Sequence, residues 1–169
     1  MIDTSVDAVK SALKRARAAL ADELPERLTP PTPHSAEEQA LLARFAVAFL
    51  ADDVDGMVKL VTEHAWFRMP PSNLEYQGRA QIQAMLTAVA NFRTGQASRL
   101  LPTRANGQPA CGMYRIDPAS GLAHPTGLLL LSLTGTRIAA LTWFVGPRPV
   151  AASGLPSDPS APELVSKAE

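Results

Sequence analysis

Proline decides where this chain can fold. Nine of its fifteen prolines fall in two clusters, Pro25, Pro30, Pro31 and Pro33 near the start and Pro147, Pro149, Pro156, Pro159 and Pro162 near the end. Each fixes φ and removes a backbone donor, so neither cluster suits the interior of a helix or sheet. The first predicts an extended, fairly stiff linker over 25–34. The second, interspersed with Ser and Ala, predicts a disordered tail over 147–169. Between them, residues 35–146 carry the patterning of a folded body, and a hydrophobic fraction of 46% is ample for its core.

That body opens with helical signals. Ser35 followed by Glu38 is a reciprocal cap, and Leu41, Leu42, Phe45, Ala46, Phe49 and Leu50 then form one broad apolar face. Asp53 can cap a short second helix holding Val54, Met57, Val58 and Val61. Ala65 to Met69 reads as a strand, ended by Pro70-Pro71. Tyr76-Gln77-Gly78-Arg79 leads into a third helix with Ile82, Met85, Leu86 and Val89 inward. Four further strands are expected over 97–105, 110–116, 126–133 and 138–145, with hairpin turns at Asn106-Gly107 and Asp117 to Gly121. Three helices followed by a meander is an α+β arrangement, helices on one face of an antiparallel sheet.

Composition narrows the function classes. Sixteen basic and sixteen acidic residues leave no global field to attract nucleic acid. The lone Cys111 permits no internal disulfide and fits a reducing compartment. The longest apolar run, Gly127 to Leu133, is strand-sized, and no membrane span, signal pattern or membrane partner is expected. A cytoplasmic protein follows.

Basic character is local. Over residues 3–20, Val6, Val9, Leu13, Ala16 and Leu20 make one stripe of a helix, while Lys10, Lys14 and Arg17, with Arg15 beside them, lie on another face. Thr4-Ser5-Val6, Val9 to Leu13 and Arg15-Ala16-Arg17 resemble the recognition helix of region 4 in extracytoplasmic-function (ECF) sigma factors of bacterial RNA polymerase. The resemblance implies that residues 1–24 are the end of that module. Lys10, Lys14, Arg15 and Arg17 would then meet promoter DNA in the intact protein, whose partners are the polymerase core and the promoter. With no companion helices to pack on, the helix is not expected to bind DNA sequence-specifically by itself.

The body over 35–146 resembles the SnoaL-like, nuclear-transport-factor-2-like fold, a cone of curved sheet wrapped around helices. The likeness is carried by Glu63 to Pro71, Tyr76-Gln77-Gly78-Arg79 and Ala139 to Phe144. The same body follows region 4 in a subset of ECF sigma factors. The order helix, linker, cone therefore implies an accessory domain that tunes sigma activity through protein contacts or a small apolar ligand.

Chemistry-bearing residues are few. Enzymes of this fold move a proton with a pocket carboxylate or histidine. Here His64, His124, Tyr76 and Tyr114 are the candidates, and a small-molecule isomerase or cyclase is the rival reading. Asp52, Asp53 and Asp55 are explained by capping, and no cluster has metal spacing; no cofactor is expected. The expected cone lining is Trp66, Met69, Tyr76, Met85, Met113, Tyr114 and Trp143, with Phe144 beside it. Arg68 and Arg104 are the polar groups that would need a partner, an anionic ligand being one. Leu128 to Leu131 is apolar on both faces of its strand, so its outer face must be covered. A second copy of the chain, which would make this a dimerisation module, or the other sigma domains could provide that cover.

Overall fold

The computed structural model describes residues 30–157, together with Lys10, Ser11, Lys14 and Arg15, which lie in helical conformation with exposed side chains. Two helices, α1 (Ala36–Leu50) and α2 (Val54–Leu60), lead into β1 (Val61–Arg68) and the short β2 (Glu75–Gln77). Helix α3 (Arg79–Arg93) follows, then β3 (Ser98–Ala105), β4 (Gln108–Ile116), β5 (Ala123–Thr134), β6 (Arg137–Val145) and α4 (Pro147–Ala152). The strands form one sheet in the order β2-β1-β6-β5-β4-β3.

Local chemistry sets these boundaries. Ser35 Oγ accepts from the Glu38 N–H, and the Glu38 carboxylate reaches back to the His34 N–H at 3.0 Å, one residue earlier than the usual reciprocal cap. Asp53 caps α2 by accepting from the Gly56 N–H at 2.8 Å. Asn106 and Gly107 both adopt positive φ, 51° and 73°, closing the two-residue hairpin between β3 and β4.

The sheet departs from expectation in two ways. It is mixed rather than antiparallel, because β1 and β6 run parallel, Phe67 facing Leu141. That pair joins strands some seventy residues apart, and such a crossover leaves no turn signal. The three-residue β2 pairs with β1, although Tyr76-Gln77 reads in sequence only as the approach to a helix. Register shifts in the β1–β6, β4–β5 and β5–β6 pairings mark bulges, which bend strands and curve the sheet.

Two apolar clusters lie on opposite faces of that sheet. The inner one joins Phe45, Phe49, Met57, Ile82 and Leu86 from the helices to Phe67, Leu100, Met113, Leu129, Leu131 and Leu141 from the strands. The outer one holds Ala110, Tyr114, Ala123, Leu128, Leu130 and Val150, with Leu155 against it. Period-two alternation thus sends Leu129 and Leu131 inward and Leu128 and Leu130 outward.

The outer cluster corrects two expectations. Residues 147–157 do not form a loose tail: Pro147 starts a helix, as proline at a first helical position can, and Val150 is fully buried beneath it. The cover over Leu128 and Leu130 is therefore supplied by the chain itself, and the run gives no ground for a second copy there. The remaining tail residues lie outside the described region.

Candidate functional site

Helix α3 does not close fully onto the sheet at its C-terminal end. A cavity of about 290 Å³ opens there between the end of α1, the last turns of α3, and strands β3, β4 and β6. Its apolar wall is Phe49, Met85, Val89, Leu100, Met113 and Trp143; its polar rim is Arg93, Gln96, Ser98, Arg99 and Arg115, with Thr126 from β5. Register explains the rim: Ser98 faces Arg115 across β3 and β4, and Leu100 faces Met113 two residues further along the same face.

Arg93 is the best-fixed of these groups. Its side chain is 10% exposed, with the guanidinium carbon 4.0 Å over the Phe49 ring. Nη1 donates to the Phe49 carbonyl at 3.0 Å and lies 3.1 Å from Asp52 Oδ1, while Nε donates to Ser98 Oγ at 3.4 Å. Asp52 Oδ1 is buried without an aligned hydrogen bond, so the ion pair is its compensation. Burial lowers the Arg93 pKa, and Asp52 partly restores it. A cation over the carbonyl end of α1 also suits that helix's dipole.

Trp143 is held by a missing side chain. A Cβ on Gly127 would sit 2.3 Å from Trp143 Nε1, so only glycine lets the indole lie where it does. That N–H is buried and has no hydrogen-bond partner. Phe92 projects at the cavity mouth and is 75% exposed, the largest exposure of any bulky apolar residue described.

Of the seven side chains expected to line the cone and the two arginines expected to need a partner there, Met85, Met113, Tyr114 and Trp143 border this cavity. Tyr114 does so with its ring in the outer cluster and its hydroxyl donating to the Pro156 carbonyl at 2.7 Å. Burial raises its pKa. The other five lie elsewhere. Trp66 carries Arg68 over its ring at 4.6 Å, and Arg68 pairs with the exposed Glu75 at 3.2 Å. Tyr76 packs edge-on against Phe67, and Met69 against the inner core.

Arg104 is paired by the protein rather than by a ligand. It donates to Glu38 and to the Gly107 carbonyl, tying the first turn of α1 to the end of β3. The Glu38 side chain is only 3% exposed. Burial alone would raise its pKa, but the His34 N–H and the Arg104 guanidinium together outweigh burial and hold it below the usual carboxylate range.

Sequence reasoning missed Phe92, Arg93, Gln96, Ser98, Arg99 and Arg115. The one readable signal was Phe92, an aromatic off the inward stripe of α3; Arg115 meets Ser98 only through strand register. No carboxylate or histidine lines the cavity. His64 and His124 are both exposed on strands outside it. An acid–base pair of the isomerase kind is therefore not assembled there. Burial pushes the Cys111 thiol up to about 12. Among the described residues no His, Cys, Asp or Glu grouping could hold a metal, and no helix is long and apolar enough to cross a membrane.

The layers and cavity define the architecture: a SnoaL-like, nuclear-transport-factor-2-like α+β fold. Solved structures agree. An NTF2-like protein of unknown function from Mesorhizobium loti superimposes with a TM-score of 0.55 at 19% identity, covering 69% of this chain and 97% of its own. A SnoaL-like protein from Burkholderia thailandensis gives 0.51 at 13% identity, covering 67% and 98%. The epoxide hydrolase/cyclase-like enzyme SalBIII gives 0.52 at 17%, covering 70% and 97%. No family model matches the chain.

Sequence then gives the more particular relation. The chain is 36% identical over 159 residues, 92% of its length, to the ECF RNA polymerase sigma factor SigG of Mycobacterium tuberculosis, in both strain CDC 1551 / Oshkosh and strain H37Rv. It is thus related to the ECF sigma factors through a stretch that takes in almost all of it. It spans 42% of that relative's length.

Proposed function

We propose that this chain is the C-terminal accessory part of an ECF sigma factor, in which a SnoaL-like body tunes promoter-directed transcription. The carrying observation is the 36% match to SigG across 92% of the chain. Lys10, Lys14 and Arg15, helical and exposed, suit a phosphate-facing role in the whole protein; Arg17 lies outside the described residues. RNA polymerase core and promoter DNA are the partners of this reading. In this reading the cone acts on sigma through protein contacts or through a small ligand held in its cavity.

The test is a chimera in which this chain replaces the matching stretch of M. tuberculosis SigG, assayed by run-off transcription with core polymerase. Promoter-dependent transcript is the expected result. A folded chimera that binds core yet makes no transcript, beside an active parent, would overturn the reading. The isolated chain is expected to give no sequence-specific gel shift, since a helix without packing partners cannot keep a groove-reading pose.

A further inference from the structure

Everything that lines the cavity deep down is apolar, and every charged group on its rim is a guanidinium. Arg93, Arg99 and Arg115 stand at one end, with Ser98 between the first and the last. Of these, Arg93 is committed to Asp52 and to the Phe49 carbonyl. Arg115 is exposed and makes no ion pair among the described residues. Arg93 with its one carboxylate and Arg115 with none leave the rim with an excess of positive charge beside a surface of low dielectric, where an anion is held more strongly than in bulk water. A hydrophobic pocket with a few convergent polar groups is the usual form of a small-molecule site, and about 290 Å³ lies at the small end of that range.

We propose that the cavity binds a small amphipathic organic carboxylate. Its anionic end would lie on the rim, against Arg115 and the Ser98–Arg93 pair, and its apolar body would rest on Met85, Met113 and Trp143. Planar guanidinium groups match a carboxylate in geometry as well as charge. This names the ligand class for the cone of the function proposed above, and rests on that reading only for its regulatory meaning. An apolar ligand alone would leave Arg115 unused.

The test uses the whole chain with Trp66→Phe, which removes the tryptophan outside the cavity and leaves Trp143 as the single reporter. Sodium decanoate, 1-decanol, acetate and inorganic phosphate are titrated to about 1 mM, below which a real site of this kind should saturate. Decanoate should give a saturable shift in Trp143 emission. Decanol should bind at least tenfold more weakly, and acetate and phosphate should give no signal. Arg115→Gln should weaken decanoate about tenfold and leave decanol unchanged, since a charge-assisted hydrogen bond is worth that much.

Equal binding of decanol and decanoate with an indifferent Arg115→Gln would overturn the proposal, as would no saturable signal from decanoate. Neither result touches the transcription reading, because polymerase is absent from the assay. Failure of the SigG chimera, conversely, would leave decanoate binding standing.

Discussion

The two faces of the sheet are lined by the same kind of residue and finished differently. On the outer face Leu128 and Leu130 are sealed by Val150 and Leu155, and Gly112 makes room, since a Cβ there would meet Leu155 Cδ1 at 2.4 Å. On the inner face Leu129 and Leu131 are buried in the core beneath the helices, but space remains over Met113 and Trp143. The unfilled volume coincides with the arginine rim, which is what separates a binding hollow from a packing defect.

Four substitutions would sharpen or break this contrast. The largest effect is expected from Leu131→Ala, because Leu131 is fully buried where the helices are tightly seated. It should cost about 2–5 kcal/mol in urea unfolding without a change in m. A loss well under that would mean the inner layer is loosely packed beyond the cavity as well.

Next comes Arg104→Ala, which strands the buried Glu38 carboxylate and should cost about 3 kcal/mol at pH 7. The sign with pH is fixed by the lowered Glu38 pKa. A depressed carboxylate contributes stability above its unfolded value of about 4.3 and loses it as pH falls through the folded value. The deficit of Arg104→Ala should therefore shrink in acid, and a pH-independent deficit would refute the pairing.

Val150→Asp tests the outer seal. Burying a bare carboxylate would be ruinous, but α4 can lift away instead, so the cost is capped near the roughly 2 kcal/mol that burying a valine contributes. Increased binding of an apolar dye should accompany it. The smallest effect, about 1 kcal/mol, is expected from Tyr114→Phe, which removes the hydroxyl donated to Pro156 and leaves the ring in place. Trp143 emission should not move, since the hydroxyl is spent on the outer side.

Much of this was legible in the chain. Ser35 and Glu38, Asp53, and Asn106-Gly107 each announce their turn or cap by local chemistry, and the structure places them accordingly. Apolar periodicity found α1 and α3 because a helix face is encoded within one segment. What escaped was non-local. The parallel β1–β6 pair has no turn of its own, and β2 has too few residues to show alternation. Arg68 and Arg104 were noticed as strand arginines, yet alternation alone could not say that Glu75 and Glu38 stand opposite them. Over residues 147–157 the density of prolines hides in sequence the single fact that Pro147 can begin a helix. Arg115 comes opposite Ser98 only once strand register is fixed, and Arg93 reaches Ser98 from α3.

The strap formed by α4 and Leu155 bears on how this protein should be handled. A preparation trimmed at Val145, where the late prolines begin, would bare the greasy back of the barrel-like half. Such a sample would stick to itself through a surface that the longer chain keeps shut. Any pairing it displayed would report the scissors and not the molecule.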